Sequence, residues 1–308
     1  MSSIIKLLNI CKNYKKTCAL NKVNLELKEG DIYGLVGENG AGKTTIIRII
    51  SGLIFADTGD VEIMGFINNQ IESNGVRKNI ASIVETPALY LNMNAIENLK
   101  MQCMMNGLEY DLKKIKEKLF EFGLGDVVDD KKKVVNYSLG MKQRLSLCMA
   151  MVGNPKIIIL DEPTNGLDPD GIREIRNLIL RLNRTDGISF IISSHNLDEL
   201  SKIATRYGFI SKGEMILEIN RDQLEHELSK QTIVKLNSVA GIDDYLKKNG
   251  IEKFDVNYSE NTIAFSSEYE IDMITRLLLM QYKIIEIKTI NENLEDFYFK
   301  IINRRVKD

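Results

Sequence analysis

Polar and apolar residues alternate near the amino terminus, the period-two pattern of strands with one buried face. Residues 4–10 and 23–27 read as antiparallel strands, and 31–36 as a fully buried strand. The alternation then stops at a glycine-rich stretch, and residues 44–52 read as a helix. From about 92 to 150 the pattern becomes loosely helical, with Leu99, Ile115, Leu119 and Phe122 among its apolar positions. From 156 to 213 strand and helix alternate: an apolar strand to 160, a helix at 171–182, a strand at 189–193, a helix at 197–206 and a strand at 207–211. This order predicts a sheet with helices packed around it.

A charged helix at 221–230 bridges to a second pattern. Residues 232–236, 242–248, 254–258, 262–265, 271–281 and 284–289 read β, α, β, β, α, β, and a helix follows at 294–302. The first six match the split βαβ arrangement of ferredoxin-like folds. The expected organisation is thus an α/β domain over 1–220, with a helical subdomain at about 86–150, and a small α+β domain over 221–308.

Composition narrows the function classes. The chain has 308 residues, enough for about two domains at roughly 150 residues each. Its 41 basic and 43 acidic residues leave a net charge of −2, which argues against a nucleic-acid binder working through a basic field. The four cysteines, Cys11, Cys18, Cys103 and Cys148, show no C-x-x-C spacing. Neither a zinc site nor a disulfide framework is indicated, and a reducing cytoplasm fits. No signal peptide is expected, and no apolar run approaches the roughly 20 residues of a membrane helix. Any membrane part of the system would be a separate chain.

Candidate chemistry begins at residues 37–44, Gly-Glu-Asn-Gly-Ala-Gly-Lys-Thr, a complete P-loop pattern. Glycines 37, 40 and 42 let the backbone fold around phosphate, so that its N–H groups and the next helix's N-terminus face the anion. Lys43 adds a positive charge, and Thr44 a hydroxyl for Mg²⁺. Residues 157–162, Ile-Ile-Ile-Leu-Asp-Glu, are an apolar strand delivering two carboxylates. Asp161 is placed for the Mg²⁺ shell and Glu162 for the attacking water. An acidic turn before Pro163 would not explain two acids after four aliphatics. His195 ends another apolar strand, whereas His226 reads as a solvated helix residue. Charge runs at Lys131–Lys133 and at Arg304, Arg305 and Lys307 read as solvated surface.

Residues 137–143, Tyr-Ser-Leu-Gly-Met-Lys-Gln, precede the two carboxylates, and Gly166-Leu167-Asp168 follow them. With Tyr14, the P-loop and His195, this ordered set resembles the ATP-binding subunit of ABC transporters over residues 1–220. The resemblance implies an ATPase of P-loop fold with a mixed sheet core, an antiparallel β part and a helical subdomain. It implies a head-to-tail dimer in which each ATP lies between one P-loop and the partner's signature. Gly37, Asn39, Gly40, Ala41, Gly42, Lys43, Thr44 and Thr45 would hold the nucleotide. Tyr14 would stack on adenine, although a plain strand-end aromatic remains open. Ser138 and Gly140 would reach the opposite γ-phosphate, Asp168 would cross the dimer interface, and His195 would contact γ-phosphate and water.

Two positions depart from the family pattern. The usual signature is Leu-Ser-Gly-Gly-Gln, and here Leu139 and Met141 replace a glycine and its second neighbour's polar contact. After residues 80–84, where a glutamine is usual, the chain has Glu85, followed by Thr86 and Pro87. This glutamate resembles the bacitracin and lantibiotic self-protection subgroup and would sit at the Mg²⁺, with Thr86-Pro87 ending the strand. A closing stretch at 294–299, Leu-Glu-Asp-Phe-Tyr-Phe, is similar to drug-exporter ATPases.

The expected function is therefore an ATP-hydrolysing motor that dimerises and drives a separate membrane permease, expelling antimicrobial peptide. It would be cytoplasmic, at the inner face of the membrane and touching it only through the permease. An exporter of lipid, polyketide drug or ion would use the same motor residues. A non-transport ABC ATPase acting on nucleic acid or ribosomes is disfavoured by a single P-loop and the lack of sustained heptads. A regulatory pseudo-ATPase would need a broken Glu162 or His195, and both are present.

Overall fold

The computed structural model describes residues 2–67, 73–85, 88–228, 230–266, 269–291 and 294–305. Thr86, Pro87 and Lys307, singled out above, lie outside the described residues. The chain divides into two compact units, Met1–Arg221 and Asp222–Asp308.

The first unit contains strands β1 (Ser3–Tyr14), β2 (Thr17–Lys28), β3 (Ile32–Val36), β4 (Thr58–Ile63), β5 (Phe66–Ile67), β6 (Ile80–Ile83), β7 (Ile157–Asp161), β8 (Ser189–Ser194), β9 (Arg206–Ser211) and β10 (Glu214–Asn220). They form two sheets. One is antiparallel, in the order β2-β1-β4-β5. The other runs β10-β9-β3-β8-β7-β6, parallel except for β10. Its central strands β3, β7 and β8 are buried on both faces, which explains their unbroken apolar runs.

The helices of this unit are α1 (Lys43–Ile50), α2 (Ser73–Val76), α3 (Ala95–Met105), α4 (Leu112–Glu121), α5 (Leu139–Ala150), α6 (Pro169–Asp186) and α7 (Leu197–Ser201). Ile46, Ile47, Ile49 and Ile50 of α1 join residues of both sheets in one core. α1 is thus packed against both sheets beneath the loop at its N-terminus. α3 to α5 occupy the interval between β6 and β7. Asn94 and Glu97 form a reciprocal capping box that starts α3.

Boundaries differ from the sequence pattern for local reasons. β1 and β2 are longer than their alternation, because register shifts in their ladder break the period of two. α6 extends at both ends: Asp168 caps it, Pro169 begins it, and Gly187 closes it in the left-handed region. The helix expected at 197–206 stops at Ser201. Thr205 is pulled into the sheet instead, its N–H donating to the Ile32 carbonyl at 2.8 Å and its hydroxyl accepting from the Ile32 N–H at 3.0 Å. The charged helix that begins at 221 ends at Glu227.

One close approach inside the parallel sheet has no sequence signature. A Cβ at Gly208 would stand 2.0 Å from the Tyr33 hydroxyl and 2.7 Å from its ring. Tyr33 is fully buried, its hydroxyl has no hydrogen-bond partner among the described residues, and burial pushes the phenol well above its usual range.

The second unit carries, after α8 (Arg221–Glu227), strand β11 (Lys230–Leu236), α9 (Ile242–Lys248), β12 (Phe254–Asn257), β13 (Thr262–Ser266), α10 (Ile271–Leu279), β14 (Ile284–Asn291) and α11 (Leu294–Arg305). Its antiparallel sheet has the order β12-β13-β11-β14, the ferredoxin-like arrangement. Val234, Leu236, Ile263 and Phe265 of the sheet pack with Ile242 and Leu246 of α9 and Ile274 and Leu278 of α10.

Candidate functional site

Four neighbouring parallel strands end on one side of the large sheet, and each delivers a candidate residue there. β3 leads into the P-loop, β8 to His195, β7 to Asp161 and Glu162, and β6 to Glu85. The carboxyl ends of parallel strands are where open α/β sheets bind ligands.

The P-loop is shaped by its backbone. Gly42 caps α1 with φ at 113°, a conformation hostile to side chains, and a Cβ there would lie 2.7 Å from Leu20 Cδ2. The Ala41 carbonyl accepts from the Gly213 N–H at 2.9 Å, tying the loop to the β9–β10 turn. Lys43 folds back over the loop, its ammonium donating to the Gly37 carbonyl at 2.6 Å and that of Glu38 at 3.2 Å. The lysine is 6% exposed, so its charge acts in a medium where water screens it weakly. α1 has no acidic residue in its first turn to oppose an anion at its N-terminus.

A continuous set of contacts joins this loop to β7 and β8. The Thr44 hydroxyl donates to Asp161 Oδ2 at 3.0 Å. Ser193 donates to Asp161 Oδ1 at 2.5 Å and also accepts from the Glu162 N–H at 3.0 Å. Glu162 lies 3.8 Å from the Lys43 ammonium through Oε1 and 2.5 Å from His195 Nδ1 through Oε2. The His195 N–H also donates to Glu162 at 3.3 Å. Glu162 has φ at 51°, the left-handed region, which turns the chain away from β7 at this residue. Thr44 and Asp161 together present hard oxygen donors beside a fixed ammonium, a set suited to a magnesium–polyphosphate complex.

Ser193 is a residue that sequence reading missed. Its role comes from strand pairing, since Asp161 and Ser193 are register partners across β7 and β8. Arg48 is a second. It lies in the last turn of α1 and forms an ion pair with Glu85. A carboxylate expected beside polyphosphate requires a compensating cation, and Arg48 supplies one. Glu85 also has φ at 62°, so it turns out of β6 as Glu162 turns out of β7.

The remaining candidates lie on other elements. Ser138 caps α5, its hydroxyl accepting from the Met141 N–H at 3.2 Å, and Gly140 follows in the helix's first turn. Asp168 caps α6, accepting from the Gly171 N–H at 2.9 Å. The two caps adjoin: Leu139 Cδ2 would lie 3.2 Å from a Cβ at Gly166. Tyr14 ends β1, 42% exposed, with the Lys12 ammonium 5.9 Å from its ring centre.

The ABC transporter family model matches residues 20–165. The bacitracin transport ATP-binding protein BcrA of Bacillus licheniformis is 37% identical over 316 residues, covering 98% of each chain. The lantibiotic transport ATP-binding protein SrtF of Streptococcus pyogenes is 41% identical over 223 residues, 72% of this chain and 93% of that protein. Among solved structures, a dimeric post-hydrolysis ATP-binding cassette bound to ADP and Pi superposes with a TM-score of 0.63 at 27% identity, over 71% of this chain and 99% of that one. Likeness along the whole length to transport ATP-binding proteins, on a cassette fold, makes this chain a member of the ABC transporter family: an ATP-binding subunit that hydrolyses ATP.

Proposed function

We propose that the chain is the motor of an exporter that removes membrane-acting antimicrobial peptides of the bacitracin or lantibiotic type, giving resistance or immunity. It works as a homodimer at the cytoplasmic face of the membrane and drives a separate permease. The observation that carries the peptide reading is the similarity to BcrA along 98% of the chain, second unit included. Glu85, the residue by which the sequence resembles the peptide self-protection subgroup, supports it. No helix among the described residues is long and apolar enough to cross a membrane, in keeping with a permease on another chain. A groove of 390 Å³ along β6, lined by Leu53, Val84, Leu89, Gln102 and Met149 among others, would offer that permease a seat.

In this reading Lys43, the P-loop N–H groups and the N-terminus of α1 hold the β- and γ-phosphates of ATP. Tyr14 stacks on the adenine, and Asn39 and Thr45 complete the pocket. Thr44 and Asp161 would hold Mg²⁺, with Glu85 as a further oxygen donor, and the ion would supply positive charge against that of the phosphates. His195 orients a water toward the γ-phosphorus. Glu162 takes a proton from that water as its oxygen bonds to phosphorus and the bond to the β-phosphate oxygen breaks, leaving ADP and phosphate. Ser138, Gly140 and Asp168 act on the site of the partner subunit, as the head-to-tail dimer of the family resemblance implies.

The test is a deletion strain complemented with wild type or with Glu162→Gln. Lost resistance to bacitracin or a lantibiotic, restored only by the wild type, is expected. Unchanged resistance to such peptides, with an altered response to a lipid or another exported compound, would sink the peptide reading and leave the motor intact.

A further inference from the structure

The second unit leaves one long strand edge without a neighbour among the described residues. β14 is outermost in its sheet and pairs on one side only, with β11. It is eight residues long, and the other outer strand, β12, has four. Natural edges are blunted by shortness, proline, bulges or charged side chains, and of these β14 carries the charges Glu286 and Lys288. β14 contains no proline, and its ladder with β11 is regular from Lys230–Asn291 to Lys235–Glu286, with one register shift beyond it, at Ile285, before the pair Leu236–Ile284. All five residues from Ile285 to Thr289 are exposed. Ile285 is 59% exposed and Ile287 37%, although Ile287 lies opposite Val234, a core residue.

The sequence of this edge is complementary to itself. Glu286 and Lys288 share the face opposite to Ile287, and Glu286 already stands across from Lys235. In an antiparallel pair of two β14 strands centred on Ile287, Ile287 meets its own copy. Glu286 then meets the second copy's Lys288, and Ile285 meets its Thr289. Centring on Glu286 or Lys288 sets like charges against each other, and centring on Ile285 leaves both charges opposite uncharged residues. Like charges directly opposed across a ladder are destabilising, and opposite ones favourable.

We propose that β14 is a pairing surface for a second copy of this chain, joining two four-stranded sheets into one. Each join satisfies the free ladder groups, covers Ile287 with its symmetry mate and forms two Glu286–Lys288 pairs about a two-fold axis. The contact needs no nucleotide. It is therefore distinct from the ATP-dependent sandwich of the first unit and keeps two motors together between cycles.

The experiment uses the full chain without nucleotide, oxidised mildly, with disulfides located by peptide mapping. In Ile287→Cys the two Cα atoms would stand about 4.5–5.5 Å apart, within the range of a disulfide. In Ile285→Cys the equivalent atoms are offset by four residues, about 14 Å. We expect a 287–287 disulfide in Ile287→Cys and at least five-fold less cross-linking in Ile285→Cys. Glu286→Lys should weaken the nucleotide-free dimer at least ten-fold in sedimentation, as should Lys288→Glu. The double exchange of Glu286→Lys with Lys288→Glu should restore it. Equal cross-linking at 285 and 287, or no rescue by the double exchange, would overturn the proposal. In neither case would the ATP-dependent dimer be touched, so the two interfaces are tested separately.

Discussion

Replacing Glu162 by glutamine separates the carboxylate's chemistry from its structural contacts. The amide keeps the size of the side chain, and the left-handed backbone at 162 is equally strained with either residue. Two contacts change character. The 3.8 Å approach to Lys43 loses an attraction of about 4 kcal/mol gross at an effective dielectric of 20. Glu162 retains 24% exposure, so solvation of the free carboxylate returns most of that. The 2.5 Å contact with His195 becomes a neutral hydrogen bond, a loss of about 1 kcal/mol. Stability should therefore fall by no more than about 2 kcal/mol, a few degrees in Tm for a chain of this size. Turnover should fall about 10²–10⁴-fold, or about 3–5 kcal/mol in barrier, because the amide cannot accept the proton of the attacking water. Phosphate release at saturating ATP, paired with equilibrium nucleotide titration, reads both effects. Binding within about three-fold of wild type, with arrested turnover and an ATP-bound dimer on sizing chromatography, is expected. Wild-type turnover, or turnover lost only in proportion to binding, would refute the catalytic role.

Lys43→Ala should weaken ATP binding at least about 10²-fold in an equilibrium titration, because charge-assisted bonds are worth about 1.5–3 kcal/mol each; unchanged affinity would remove the P-loop assignment. Ser138→Arg should abolish hydrolysis while leaving binding to the monomer intact, and mixing it with Lys43→Ala should recover at most one composite site per dimer; normal hydrolysis by Ser138→Arg alone would argue against composite sites. Glu85→Gln breaks an exposed ion pair with Arg48 worth at most about 1 kcal/mol, so Tm, binding and basal hydrolysis should hold while permease-stimulated turnover falls; equal stimulated turnover would make the glutamate dispensable. Thiol alkylation near pH 8 should modify Cys18, which is exposed, and Cys11, whose pKa is lowered by hydrogen bonds from the Thr58 side chain and the Lys22 N–H. Cys148, buried and pushed up to about 12 by burial, should react only after denaturation, and rapid native labelling of it would contradict the packing of α5.

Phosphate and carboxylate chemistry was legible in the sequence because it needs consecutive residues. The loop at 37–44 and the Asp161-Glu162 pair each lie within one short segment, and local order suffices to place them. Ser193 and Arg48 were not legible, since each gains its role across the fold. Ser193 meets Asp161 by register between adjacent strands, and Arg48 meets a residue 37 positions away. The same division holds for the elements. The βαββαβ succession of the second unit could be read along the chain, whereas its strand order β12-β13-β11-β14 depends on pairings between distant segments. β4 escaped detection because only Val61 and Ile63 of its six residues are apolar and its first three residues are exposed, and β10, at the margin of the large sheet, has only Ile219 buried, so neither carries a clear alternation. The helix expected to reach 206 was cut short by one threonine's bonds to Ile32, a tertiary contact that overrides local propensity.

The approach of Tyr33 to Gly208 constrains how this lineage can drift. With a tyrosine at 33, any side chain at 208 collides with the hydroxyl at 2.0 Å, so position 208 is closed to single substitutions. Tyr33→Phe removes that oxygen, which has no hydrogen-bond partner among the described residues, and should be tolerated, yet the ring carbon 2.7 Å away still blocks a methyl group. Only after a shorter aliphatic has replaced the ring does 208 open to alanine, provided Met215 Cε, 2.8 Å from the same point, also gives way. The accessible order of change is therefore 33 before 208, and reversion at 33 becomes costly once 208 has acquired a side chain. A descendant that carries alanine at 208 should have lost its aromatic ring at 33, so the two positions record the order of their own history.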